Sequence, residues 1–146
     1  NLANYTDADA FEVAVSAGAS LALQAVRDQL EATILVSSHA AAGATRREVL
    51  DTCSRAVPTT TELPLLVSRA IRIAPRATAA FIVSGSVPDA SALRKAAGRA
   101  PSDLPTAVVR VDPDGRPAAG AAAAMSIATI RALADLRAVL HAGGAR

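Results

Sequence analysis

The groups with chemical potential in this chain are hydroxyls. Ser37-Ser38 is followed at once by His39, Ser84-Gly85-Ser86 stands before a predicted helix, and Thr59-Thr60-Thr61 forms a run. A serine becomes a nucleophile only when a neighbouring base takes its proton, so Ser37, Ser38, Ser84 and Ser86 with His39 are the set that would suit a hydrolase. The supporting signals are missing. There is no Gly-x-Ser-x-Gly elbow, His39 falls in a loop, and His141 falls in the last turn of a predicted helix, where a cation suits the dipole. No catalytic residue is assigned. Gly85 ahead of a helix start would suit a bound phosphate or nucleotide, although neither a Gly-x-Gly-x-x-Gly nor a Walker motif is present. Serine, threonine and glycine are also what helix caps and tight turns require in any fold.

The elements that position these groups are legible from pattern. Three apolar runs end in small polar residues: Thr33 to Val36 into Ser37-Ser38, Ala79 to Val83 into Ser84-Gly85-Ser86, and Ala107 to Val111 into Asp112. Continuous apolar runs of this length mark strands buried on both faces, and such strands empty onto one rim where open α/β sheets bind their ligands. Between them lie helical patterns. The first runs over 7–29, capped by Thr6, with one narrow polar stripe of Glu12, Ser16, Ser20 and Gln24. A strand over 31–36 and a loop over 39–44 lead to a helix opened by a Thr45/Glu48 capping box, with Val49, Leu50, Cys53, Ala56 and Val57 on its inner face. A third helix spans 62–74 with Pro64 in its first turn, followed by a strand over 77–84, a helix over 91–98 and a strand over 106–111. Asp112-Pro113-Asp114-Gly115 is a turn. The Ala-rich stretch that follows predicts a strand over 122–128, then a helix over 129–141 packing Ile130, Leu133, Leu136 and Leu140 inward and ended by Gly143-Gly144.

This alternation predicts a single α/β domain over residues 1–146, a doubly wound, mostly parallel, Rossmann-like sheet of three to five strands with helices on both faces. The first helix is apolar around most of its circumference yet has no strand before it. In a doubly wound sheet such a helix follows a central strand, so the domain reads as lacking, or nearly lacking, its first strand, with Asn1 to Tyr5 as a remnant or the strand itself upstream.

Composition narrows the partners. The net charge is +2 and the three aromatic residues are Tyr5, Phe11 and Phe81. Phosphate backbones need clustered cations and bases need stacking partners, so no nucleic acid is expected. The most apolar stretch, 118–130, is mostly alanine and short of the roughly 20 strongly apolar residues of a membrane span, so no direct membrane contact is expected. Cys53, the one cysteine, cannot form an internal disulfide, which fits a reducing compartment.

Four segments carry a family resemblance: Phe11-Glu12-Val13-Ala14-Val15-Ser16-Ala17-Gly18-Ala19-Ser20-Leu21, Phe81-Ile82-Val83-Ser84-Gly85, Ala107-Val108-Val109-Arg110-Val111-Asp112 and Leu133-Ala134-Asp135-Leu136. In this order, from about Thr6 to His141, the chain resembles the C-terminal domain of a bacterial family of unknown function. That family has a von Willebrand factor A-like domain, is usually membrane-anchored and is encoded beside MoxR-type ATPases. The resemblance implies a noncatalytic protein-interaction domain on the cytoplasmic side of a membrane-anchored parent, with a MoxR-type ATPase as partner. It also implies a sheet edge able to carry a metal site of Asp, Ser and Thr oxygens. The Asp-x-Ser-x-Ser stretch of that site has no match here. The threonine ligand falls among Thr59, Thr60 and Thr61, and the third loop falls at Ser84-Gly85-Ser86, where the carboxylate is absent. Without acids an ion is dehydrated for little Coulomb return, so no metal and no cofactor is expected. The partner- or ligand-binding rim is then Ser37, Ser38, Thr60, Thr61, Ser84, Gly85, Ser86 and Asp112. The alternative is a small-molecule or nucleotide-binding α/β domain using the Ser84–Ser86 loop.

Overall fold

The computed structural model describes residues 2–122 and 125–144. A 3-10 turn at Leu2–Asn4 leads into helix α1 (Ala8–Arg27). Asp7, not the expected Thr6, is its N-cap: the carboxylate accepts from the Ala10 N–H at 2.7 Å, and the Thr6 hydroxyl donates to Asp7 at 3.3 Å. A carboxylate fills the orphan donor and also meets the positive end of the helix dipole, which a hydroxyl does not.

The first expected strand is shorter and pairs differently. Strand β1 (Ile34–Val36) runs antiparallel to β2 (His39–Ala41), with Val36 opposite His39, so Ser37-Ser38 is a two-residue hairpin turn. Ser37 adopts φ 56°, the left-handed backbone such turns demand. An antiparallel neighbour two residues away is reached without a crossover connection, and β1 takes it. The two strands form a sheet of their own.

Helix α2 (Arg46–Ser54) opens with the expected capping box, Thr45 N–H donating to Glu48 at 2.8 Å and Glu48 N–H to Thr45 Oγ1 at 3.4 Å. Its inner face is not the expected one. Val49 and Thr52 are buried and Cys53 half-buried, whereas Leu50 is 46% exposed, Ala56 and Val57 lie beyond the helix and Val57 is exposed. The short helix packs chiefly on the hairpin and α1, so a single i, i+3, i+4 stripe is covered.

Helix α3 (Leu63–Ile73), strand β3 (Ala80–Gly85), helix α4 (Ala90–Ala97) and strand β4 (Thr106–Val111) fall close to expectation. The alanine-rich region holds two antiparallel strands, β5 (Ala118–Ala122) and β6 (Met125–Ile130), where one was expected; Ala123 and Ala124 lie outside the described residues. Thr129 and Ile130 complete β6 instead of opening a helix. Helix α5 (Asp135–Gly144) therefore starts later, runs through Gly143-Gly144, and leaves Leu133 exposed while Leu136 is buried. The Asp135 carboxylate fixes this start by accepting from the Arg131 and Ala132 N–H groups at 2.9 and 3.1 Å, and these bonds hold its pKa below the usual value.

The main sheet has the order β3-β4-β6-β5, with β3, β4 and β6 parallel and β5 antiparallel at the edge. Helices α1 and α5 cover one face through Ala10, Ala14, Ala17, Leu136 and Val139 against Val109, Val111 and Ile130. Helices α3 and α4 cover the other through Val67 and Leu93 against Ile82, Val108 and Met125. This is an α/β fold with a mixed, mostly parallel four-stranded sheet flanked by helices. No helix among the described residues is long and apolar enough to cross a membrane.

The burial of α2 sets the first test. Val49→Ala should cost about 2 kcal/mol by opening a cavity, while Leu50→Ala should cost less than about 0.5 kcal/mol. Urea unfolding of both variants measures the difference.

Candidate functional site

The carboxyl ends of β3 and β4 bring Ser84, Gly85, Ser86 and Asp112 to one edge, as the sequence pattern requires. The Asp112 N–H donates to the Ile130 carbonyl at 2.8 Å, so β4 and β6 stay paired up to the rim. Behind Asp112 the chain turns back, the Gly115 N–H donating to the Asp112 carbonyl at 3.1 Å. Asp112 is therefore held as a turn residue. Asp89 caps α4, accepting from the Ala92 N–H at 2.7 Å, so the helix that follows Ser84-Gly85-Ser86 already has an acidic group at its first turn.

The other rim candidates are elsewhere. Ser37 and Ser38 occupy the hairpin turn in the second sheet, where the Ser37 hydroxyl donates to the Val57 carbonyl and the Ser38 carbonyl accepts from the Arg69 guanidinium at 2.9 Å. The Ser37 proton thus goes to a backbone oxygen rather than to His39, and the pair makes no nucleophile and base. Thr60 lies in the linker ahead of α3. Thr61 lines a groove of about 590 Å³ along α3, whose apolar floor is Leu65, Leu66 and Ile71 and whose cations are Arg69, Arg72 and Arg99. The predicted rim is split three ways because β1 pairs with β2 and never joins β3.

Two features of the edge were not anticipated. The first is the N-terminal segment. The Asn4 carbonyl accepts from the Val87 N–H at 3.3 Å, and the Asn4 backbone and the Tyr5 ring lie directly on Gly85, where an added Cβ would sit 2.7 Å from Tyr5 Cδ1. Tyr5 packs edge-on against Phe11 at a ring separation of 5.3 Å, and burial pushes its phenol up from 10.0 to about 12. The second is Arg110, one charge inside the β4 run. It stands beside Ser84 in the parallel register and donates through its terminal nitrogen to the Ser86 carbonyl. Its Nε and the Ser84 Oγ are both buried without a partner, and Ser84 is only 1% exposed. The signal for Arg110 was present in the sequence as a lone cation within a run otherwise apolar; the signal for Tyr5 was not, because its contact is with a glycine eighty residues away in the chain.

Among the described residues no group of three His, Cys, Asp or Glu side chains comes together as metal ligands would. The half-buried Cys53 thiol is pushed up in pKa by desolvation, which lowers its thiolate fraction and leaves it a packing residue of the hairpin cluster. No protein-family model, no curated protein and no solved structure matches this chain.

The closed edge yields two measurements. Tyr5 is the one tyrosine, so the absorbance change of phenolate reports it alone: native protein should ionise near pH 12, and stability that is full below pH 10 should be lost as the pH rises toward that value. A native midpoint near 10 would mean the segment does not pack on Gly85. Gly85→Ala forces that segment off and should cost about 1–3 kcal/mol, read as a fall in Tm.

Proposed function

We propose that this chain is a noncatalytic, von Willebrand factor A-like protein-interaction domain of a membrane-anchored bacterial parent, placed on the cytoplasmic side, with a MoxR-type ATPase as its partner. The observation that carries this reading is the covering of Gly85 by Asn4 and Tyr5. The edge where α/β folds usually take small ligands is packed with the chain's own backbone, while an open concavity of about 590 Å³ lies along α3. That groove combines apolar floor and guanidinium walls, the pairing that recognises an acidic, amphipathic protein surface. The parallel order of β3, β4 and β6 and the helices on both faces support the family side of the reading.

A second reading is a small-molecule or nucleotide-binding domain at Ser84–Ser86. It is favoured by the unpartnered Ser84 Oγ and Arg110 Nε, two buried donors that an anion would satisfy.

One pair of experiments separates them. Isothermal titration of the domain with a MoxR-type ATPase should show saturable binding, weakened roughly tenfold by Arg72→Glu with Arg99→Glu, the effect of about 1.4 kcal/mol at a charged rim. A thermal-shift screen of nucleotides and metabolites should leave Tm unchanged. A ligand present at about 100 times its Kd stabilises by about 2.7 kcal/mol, so a rise of several degrees would overturn the first reading in favour of the second.

A further inference from the structure

Helix α3 carries two leucines that the core does not use. Its inner side supplies Leu63, Val67 and Ile71 to the cluster around Ile82 and Val108. Leu65, 61% exposed, and the half-buried Leu66 belong to none of the three core clusters of the described residues. A single exposed leucine is ordinary on any protein surface. Here the two are neighbours on the floor of the α3 groove, and Arg69, Arg72 and Arg99 stand around them.

The groove is charged in one sense only. No carboxylate lines it, and none of its three guanidiniums has an ion-pair partner among the described residues, where the pairs are Arg55–Asp51 and Arg131–Asp135. Arg69 is already fixed by its bond to the Ser38 carbonyl at 2.9 Å, so less side-chain freedom is lost when an anion arrives. Arg72 follows it by one helical turn, and Arg99 reaches the groove from behind α4, which packs beside α3. An occupant must therefore bring several acids together with apolar side chains.

The backbone form of that occupant is decided by what the walls lack. The lining comes from α3, from Thr61 ahead of it and from Arg99, with no strand among them, so an extended peptide would find no open edge to bond. A helix arrives with its main-chain bonds already satisfied and needs only side-chain partners. Its spacing fits as well. Acids three or four positions apart lie about one turn from each other on a helix face, the separation of Arg69 and Arg72. From Leu65 to Arg72 the groove follows α3 for about 10 Å, a concave track that suits a rod better than the flat plane of a membrane.

We infer that this groove is the seat of an acidic amphipathic helix of a partner protein, about three turns long, which packs apolar side chains on Leu65 and Leu66 and pairs acids one turn apart with Arg69 and Arg72. Such a seat rests on the interaction-domain reading and adds to it the partner's shape and charge pattern.

The test uses the 146-residue chain and labelled alanine-based peptides of about 14 residues, in which a Leu stripe and a Glu stripe at i, i+4 spacing stand side by side in every register. Fluorescence anisotropy should show saturable binding. The tightest peptide should weaken about tenfold or more with proline at its centre, with Lys in place of Glu, or against Leu65→Asp or Arg72→Glu. Leu65 and Arg72 are both exposed, so these variants should keep the parental Tm, and Arg72→Glu should bind the Lys peptide more tightly than the parent does. Absence of saturable binding by every peptide overturns the proposal, as does equal binding of the proline-broken one. Displacement of the peptide by vesicles of anionic phospholipid also overturns it, because the surface would then be a headgroup site. Binding of a MoxR-type ATPase that saturating peptide does not compete leaves the interaction reading standing and overturns this one. Peptide binding without ATPase binding supports the helical seat and removes only the named partner.

Discussion

The parallel register of β4 with its two neighbours is the constraint on which this structure rests. β4 is hydrogen-bonded on both sides, to β3 and β6, and covered on both faces, and Val108, Val109 and Val111 are fully buried as a result. Alternation decides which helix each valine meets. Val109 and Val111 face α1 and α5, and Val108 faces α3 and α4. A slip of one residue would exchange these faces and turn the Arg110 guanidinium, now bonded to Ser86, toward the alanine surface of α1. The edge geometry, including the place of Ser84 beside Arg110, follows from that register.

Small residues let the layers close. The contact of α1 with the sheet is made by Ala10, Ala14 and Ala17, and at Gly85 the approach is closer still, backbone on backbone. A chain with three aromatic residues cannot fill a thick interlayer space, so its core is thin and rich in methyl contacts, each weak and collectively decisive. Tyr5 and Phe11, two of those aromatics, are spent together where α1 meets the rim.

The sequence was most readable where burial alone determines the element. The β4 boundaries were visible as a run of β-branched residues, and the capping box of Thr45 and Glu48 was visible as spacing. It was least readable where local pairing competes with long-range pairing. Ser37-Ser38 carries neither asparagine nor glycine, so nothing marked it as a left-handed turn, and β1 was assigned to the wrong sheet. In the alanine-rich stretch helix propensity and strand burial pull in opposite directions, and two strands emerged where one was expected. Of the rim, Ser84, Gly85, Ser86 and Asp112 were found from strand ends. Ser37, Ser38, Thr60 and Thr61 depended on β1 lying in the main sheet and are dispersed without it.

Strand β5 has a consequence of its own. Its five residues are four alanines and a glycine, and on Gly120 an added Cβ would meet nothing within 4 Å. Sliding it two positions along β6 would exchange only methyl groups and the single Gly120 hydrogen, so the sequence supplies no large side chain as a notch to hold it. The tether through the Asp112–Gly115 turn acts as its ruler. Lengthening that connection by a pair of residues would let this border of the sheet move along β6 and across α5, the one helix it touches closely, which makes this margin the place where the fold could be retailored most readily.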